Sequence, residues 1–137
     1  MKRSKLLVSS GLIAIASAIW HLLCILGGPS WFVFARAPLV IINSAHQGTV
    51  LAPIATTVVA SLMCCCALYA FSAVGTIRKL PLIKPALITI ALLCILRGII
   101  AIPRFITPSG IDTWQIIASS TWLYVGICFT LGVYLQK

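Results

Sequence analysis

Few side chains of this sequence could do chemistry, because its apolar runs are almost entirely hydrocarbon. His21 lies near the end of the first apolar run, Arg97 lies inside the third, and Gln115 and Ser119 lie near the start of the fourth. A charge near the centre of a bilayer costs at least about 2.5 kcal/mol, so a polar side chain at that depth is either paired or used for function. We therefore take His21, Arg97, Gln115 and Ser119 as candidate ligand-binding residues.

These four side chains suggest the binding of an anionic or carbonyl-bearing ligand. The guanidinium of Arg97 carries five N–H donors, and the imidazole of His21 can donate or accept. A lipid headgroup or a quinone would suit such a site, with the aromatic segment after Pro29 as a lid. The alternative is structural: Arg97 extends outward to lipid phosphate or to polar neighbours, and His21 is a hydrogen-bonded packing residue.

Other motifs exclude several kinds of chemistry. The apolar runs contain no Asp or Glu, which disfavours a proton-coupled exporter with an intramembrane carboxylate. His21 and His46 have an unrelated spacing, which is a weak pattern for a haem site. The sequence has no G-x-S-x-G, H-E-x-x-H or phosphate-binding loop. We identify no catalytic residue and no metal site, and the cofactor, if any, is unknown.

The cysteines predict buried thiols rather than a disulfide framework. All six lie within apolar runs, at Cys24, Cys64, Cys65, Cys66, Cys94 and Cys128. The three consecutive side chains at 64–66 point about 100° apart around a helix, so they cannot chelate one metal. There is no C-x-x-C motif, which disfavours a thiol oxidoreductase.

The elements that position the candidate residues are predicted to be transmembrane helices. The chain has 137 residues, of which 61% are hydrophobic and 8% are charged, a balance far from that of a soluble domain. A span needs about 20 apolar residues, and four such runs occupy 6–26, 50–74, 85–106 and 114–135. We predict an all-α, four-helix transmembrane bundle, formed by a single domain over 1–137. A cleaved signal peptide ending near Ala18 is the rival interpretation of the first run.

The segment 30–48 is predicted to lie at the outer membrane surface. It is too apolar for water and too polar to span, with Trp31 and Phe34 beside Arg36, Asn43 and His46. Aromatic rings of this kind are typical of the headgroup level. We expect an interfacial or partly re-entrant element between the first two spans.

The basic residues predict the orientation. Seven flank one side of the predicted bundle, at Lys2, Arg3, Lys5, Arg78, Lys79, Lys84 and Lys137, and only Arg36 and Arg104 lie on the other. Basic residues are retained in the cytoplasm, so both termini should be cytoplasmic in a multi-pass protein of the inner membrane. The net charge of +9 therefore does not indicate nucleic-acid binding.

Small and polar residues at helical spacing predict which faces of the spans pack together. In lipid, small residues let helix backbones approach closely. The predicted inward stripes are Ser10, Ala14, Ser17 and His21; Thr57, Ser61 and Cys64; Cys94, Arg97, Ala101 and Arg104; and Gln115, Ser119, Trp122, Gly126 and Thr130.

Three stretches resemble a family of uncharacterised small four-helix inner-membrane proteins of proteobacteria. They are His21 with the run GGPSW at 27–31, the run ALYAFSAVG at 67–75, and LPL at 80–82 followed by LRG at 96–98. The resemblance implies the four-helix fold and draws attention to His21 and Arg97. It implies no activity.

These patterns favour a non-enzymatic membrane protein. We expect a lipid-binding or small-ligand-binding module, or an accessory subunit of a membrane complex, because no catalytic constellation is present. The alternative is a small oligomeric transporter or channel, and a quinone-binding or haem-binding redox protein is a third hypothesis. The expected partners are membrane lipids, further copies of the chain or a larger complex.

Overall fold

A computed structural model describes residues 2–99 and 112–135 of the chain. This part contains six helices and no strand, which confirms the prediction of an all-helical fold. The helices are α1 (Lys2–Gly27), α2 (Pro29–Phe34), α3 (Leu39–Gln47), α4 (Leu51–Ala73), α5 (Ile83–Ile99) and α6 (Thr113–Leu135).

Three of these helices are long and apolar enough to cross a membrane. They contain the stretches Ser4–Gly27, Leu51–Ala73 and Thr113–Tyr134, which match the first, second and fourth predicted spans. The predicted third span, 85–106, begins on α5, which has 17 residues, and its residues 100–106 lie outside the described part. A membrane protein is therefore supported, while the fourth crossing stays a prediction.

The chain forms two compact units. The first unit comprises Met1–Ile13 and Cys66–Lys137, and the second comprises Ala14–Cys65. Helices α1 and α4 each contribute residues to both units. The prediction of one domain over 1–137 stays a prediction.

The first unit has an apolar core between α4, α5 and α6. Its buried members are Ala70, Leu87, Ala91, Cys94, Val125 and Phe129. The buried residues of α5 recur every three or four positions, as expected for one face of a helix. Many are small, so the helices approach closely in the way that membrane helices do.

The second unit contains α2 and α3, two short helices within the segment that is predicted to be interfacial. Gly28 precedes α2 with a φ of 75°, a conformation that glycine adopts without strain. The rings of Trp20 and Trp31 stack with centroids 5.6 Å apart. The Ser44 hydroxyl accepts a hydrogen bond from the Ala52 amide at 2.9 Å and so caps the start of α4. The segment is ordered, and its location at the membrane surface stays a prediction.

The prediction that the polar stripe of α4 faces inward is wrong. Thr57, Ser61 and Cys64 are exposed, whereas the buried face of the same helix carries Ala52, Thr56, Ala60, Met63, Ala67 and Ala70. The hydroxyls of Thr57 and Ser61 each donate to the carbonyl four residues earlier, at 2.7 and 2.8 Å. This internal bond satisfies a hydroxyl without a neighbouring helix, so polarity alone did not identify the packed face.

Candidate functional site

Ser119 carries a buried hydroxyl that has no hydrogen-bond partner among residues 2–99 and 112–135. It lies on α6 within the first unit, and only 4% of the residue is exposed. Its Oγ makes no hydrogen bond with any residue of the described part. A buried polar atom without a partner costs about 1–3 kcal/mol, so this hydroxyl is a site where a bound group would be stabilising.

The other buried hydroxyls of the described residues are all paired. Ser10 and Thr56 donate to backbone carbonyls of their own helices at 2.9 and 2.7 Å. The Ser44 hydroxyl accepts a hydrogen bond from a backbone amide at the start of α4. The Ser72 hydroxyl bonds to two backbone groups of the loop that follows α4. Hydroxyls in membrane helices ordinarily use a carbonyl one turn earlier in this way. Ser119 therefore departs from the pattern that the other buried hydroxyls of the described residues follow.

The backbone of Ser119 lies directly against α5 at Gly98. A Cβ added to Gly98 would lie 3.3 Å from the Ser119 carbonyl oxygen and 3.1 Å from the Cβ of Leu123. Arg97 precedes Gly98 and is therefore level with Ser119 along the helix pair. The structure thus brings two of the four predicted site residues to the same depth of the first unit.

Arg97 does not lie on the packed face of α5. We predicted that it would share an inward stripe with Cys94, but Cys94 is buried and Arg97 is exposed. The buried face continues through Gly98 instead, and adjacent helical residues point about 100° apart. No hydrogen bond or ion pair joins Arg97 to another residue among 2–99 and 112–135. The part of the prediction that placed this side chain inward is wrong.

Gln115 lies one turn before Ser119 on α6 and is half-buried. Residues four apart share a helix face, so its amide is on the side of the Ser119 hydroxyl. Nearer the start of the helix, a carboxylate oxygen of Asp112 accepts a hydrogen bond from the Trp114 amide at 3.2 Å. Ser119 lies six residues after Thr113, which places it about 9 Å along the helix from its beginning. These groups occupy one end of the α5–α6 pair.

His21 belongs to the second unit, whereas Arg97, Gln115 and Ser119 belong to the first. Its Nδ1 lies 2.7 Å from the Ser17 carbonyl oxygen, four residues earlier. A carbonyl only accepts, so Nδ1 carries the hydrogen of this bond, and Nε2 of the neutral ring is left as an acceptor. The hydrogen-bonded packing role is supported by this contact. A joint site of His21 and Arg97 stays a prediction.

Metal-ligating side chains do not cluster in the described part. No group of three or more His, Cys, Asp or Glu residues is placed to hold an ion. The six cysteines are free, with Cys64 and Cys65 exposed and Cys24, Cys94 and Cys128 buried. The arrangement offers hydrogen bonds and one charge to a ligand, which is recognition chemistry.

Sequence reasoning missed the role of Gly98 and a hydrogen bond between Ser9 and Tyr124. The hydroxyl of Ser9 donates to the Leu6 carbonyl at 2.8 Å and lies 2.8 Å from the Tyr124 hydroxyl. Because the Ser9 hydrogen is already used, the tyrosine donates and Ser9 accepts. The signal for Gly98 was present in the sequence, since Gly98 follows Cys94 by four residues on one helix face. No local pattern indicates the tyrosine pair.

Comparison with known proteins does not add an identity. No protein family, no curated protein and no solved structure matches this chain. The resemblance to small inner-membrane proteins of proteobacteria stays a prediction, and no activity is inherited from a relative.

Proposed function

We propose that this chain is a multi-pass inner-membrane protein that binds a lipid or another small ligand, without catalysis, at the end of the α5–α6 pair that carries Ser119. The proposal includes four spans in a bundle, with both termini in the cytoplasm. The three apolar helices support the membrane location. The distribution of Lys and Arg supports the orientation.

The single observation that carries the binding site is the buried, unpaired hydroxyl of Ser119. A ligand oxygen beside it would recover the hydrogen bond that the protein leaves unmade. Arg97, level with Ser119 on the exposed side of α5, supplies a positive charge. We expect a ligand with an anionic or carbonyl oxygen and an apolar body, because such an oxygen accepts hydrogen bonds from both a hydroxyl and a guanidinium. A lipid and a quinone share this chemistry.

Binding is favoured over transport by the placement of the polar groups. The transporter hypothesis rested on polar stripes that face inward on every span, and Thr57, Ser61 and Cys64 of α4 are exposed instead. Each hydroxyl of that stripe is already bonded within its helix. Ser119 and Arg97 lie instead at one end of the α5–α6 pair, which favours a single binding site over a continuous path.

Native mass spectrometry of the full chain, released from mild detergent, tests the proposal. We expect the wild type to retain an anionic lipid or a quinone. Arg97→Leu should lose most of it, and Arg97→Lys should recover only part, because lysine lacks the planar fork of donors. Ser10→Ala is the matched control, since Ser10 is buried but already paired.

Three results would contradict the proposal. One is equal retention in wild type and Arg97→Leu. Another is a chain that carries no small molecule but retains partner subunits, which would favour an accessory subunit. The last is turnover of a substrate, or a redox cofactor that absorbs visible light.

A further inference from the structure

The loop that follows α4 is held in place by one buried serine. Ser72 is 2% exposed, and its hydroxyl donates to the Arg78 carbonyl at 3.1 Å and accepts from the Leu80 amide at 2.8 Å. The end of α4 is closed by Gly75, whose φ of 79° permits a left-handed cap. The backbone of Arg78 and Lys79 is therefore fixed between the two bonds of Ser72.

The loop belongs to an end of the first unit where the charged side chains that the structure describes are all basic. Lys5, Arg78, Lys79 and Lys84 are all exposed, and we call these four residues the basic end. Gly11 of α1 lies against Ala70 and Phe71, near the end of α4. The N-terminal half of α1 therefore packs against the end of α4, and α5 starts from the same loop. The single acidic residue of the chain, Asp112, stands before α6 at the opposite end of this unit.

Exposed apolar side chains accompany these charges. Ile77 is 37% exposed and Leu82 is 75% exposed. In the sequence, Ile77 precedes Arg78 and Lys79, and Leu82 follows them. Leu82 has a φ of 55°, a strained backbone for a leucine. Basic residues with adjoining apolar residues are typical of segments that rest on a membrane surface.

We propose that the basic end binds the headgroups of anionic phospholipids, with Ser72 positioning the Arg78–Lys79 pair. The inference rests on the membrane location proposed above, but it uses a different site from Ser119. Helices α1 and α4, which adjoin the basic end, are both long and apolar enough to span. Their ends therefore bring the four charges to the depth of the lipid phosphates. The headgroups contact the charges while the side chains of Ile77 and Leu82 enter the apolar layer beneath.

Thermal unfolding of the full chain in neutral detergent, titrated with phosphatidylglycerol or with phosphatidylcholine, tests this proposal. We expect phosphatidylglycerol to raise the midpoint at lower concentration than phosphatidylcholine. The double variant Arg78→Gln/Lys79→Gln should weaken the apparent affinity for phosphatidylglycerol by about 30-fold, from the usual contribution of two basic residues at a charged surface. Ser72→Ala keeps both charges and should give a smaller loss. Raised salt should weaken the wild-type response.

Controls separate this site from the others. Arg36→Gln removes one charge from the second unit and should leave the phosphatidylglycerol response unchanged. In a Ser119→Ala background, Arg78→Gln/Lys79→Gln should weaken the apparent affinity for phosphatidylglycerol by the same factor as in the wild-type background, so a failure of the Ser119 site and a failure of this one are distinguishable. The proposal is wrong if the double variant keeps the wild-type preference, or if Arg36→Gln loses as much. It is equally wrong if duplex DNA stabilises the protein as much as phosphatidylglycerol does.

Discussion

Gly98 of α5 faces the backbone of Ser119 on α6 so closely that a Cβ at position 98 would lie 3.3 Å from the Ser119 carbonyl oxygen. The relationship is reciprocal further along the pair, where Gly126 of α6 faces Cys94 and Ile95 of α5. Two glycines on opposite helices thus allow the backbones to meet. This close approach places the backbone of Ser119 directly against α5.

Replacing Gly126 by alanine should destabilise the protein. The new Cβ would lie 2.7 Å from Cγ1 and 3.0 Å from the backbone nitrogen of Ile95, and the backbone cannot move aside without separating the helices. We expect the free energy of unfolding in detergent to fall by about 1–3 kcal/mol. Gly132→Ala is the matched control, because the three atoms nearest its Cβ all belong to the side chain of Leu7 and none to a backbone. An equal loss in both variants would contradict this account of the α5–α6 contact.

The hydrogen bond between Ser9 and Tyr124 should contribute a modest stabilisation. Ser9 is partly buried and Tyr124 is exposed, and their hydroxyl oxygens lie 2.8 Å apart. Side-chain hydrogen bonds between membrane helices average about 0.6 kcal/mol. A double-mutant cycle of Ser9→Ala and Tyr124→Phe, followed by unfolding in detergent, should give a coupling energy of that size. A coupling of zero would show that the two hydroxyls do not interact in the membrane protein.

The four-span topology predicts the side on which each loop lies. Accessibility tags at either terminus, or within 75–84, should report the cytoplasm, because these segments carry most of the Lys and Arg. Tags near Asn43, which is exposed on α3, or near Ser109 should report the outer side. Ser109 lies outside the described residues, so its tag is the sharpest test of whether α5 crosses. A cytoplasmic report from Ser109 would contradict the four-span model.

The sequence was sufficient to predict the helices because hydropathy alone determines them in a membrane protein. The predicted spans 6–26, 50–74 and 114–135 differ from α1, α4 and α6 by at most four residues at either end. A run of apolar residues between basic or aromatic flanks leaves few other structures for the backbone, since every amide must be paired within its own segment. The polar segment 30–48 was harder to predict, and its two short helices depend on local caps such as Gly28 and Ser44.

The packed faces of the helices could not be predicted equally well. In lipid, an apolar residue has no preference for the interior over the surface, so hydrophobicity does not reveal which side faces the protein. Small residues indicated Cys94 and Gly126 correctly. Thr57 and Ser61 were wrongly predicted to face inward, because the hydroxyl of each donates to a carbonyl of its own helix and needs no neighbouring helix. The prediction that Arg97 faces inward rested on the free-energy cost of a charge in lipid. An exposed arginine can avoid that cost by extending its side chain to the headgroups.

The measurement that tests the central claim most directly is the stability of Ser119→Ala with and without ligand. The claim is that this hydroxyl is unpaired in the free protein and paired in the complex. In lipid-depleted detergent, the variant should unfold at a higher temperature than the wild type, because alanine removes a buried polar atom that costs about 1–3 kcal/mol. With added anionic lipid or quinone, the variant should gain less stability than the wild type. The paired control Ser10→Ala should show neither effect. Lower stability of Ser119→Ala without ligand, or an equal gain with it, would contradict the claim.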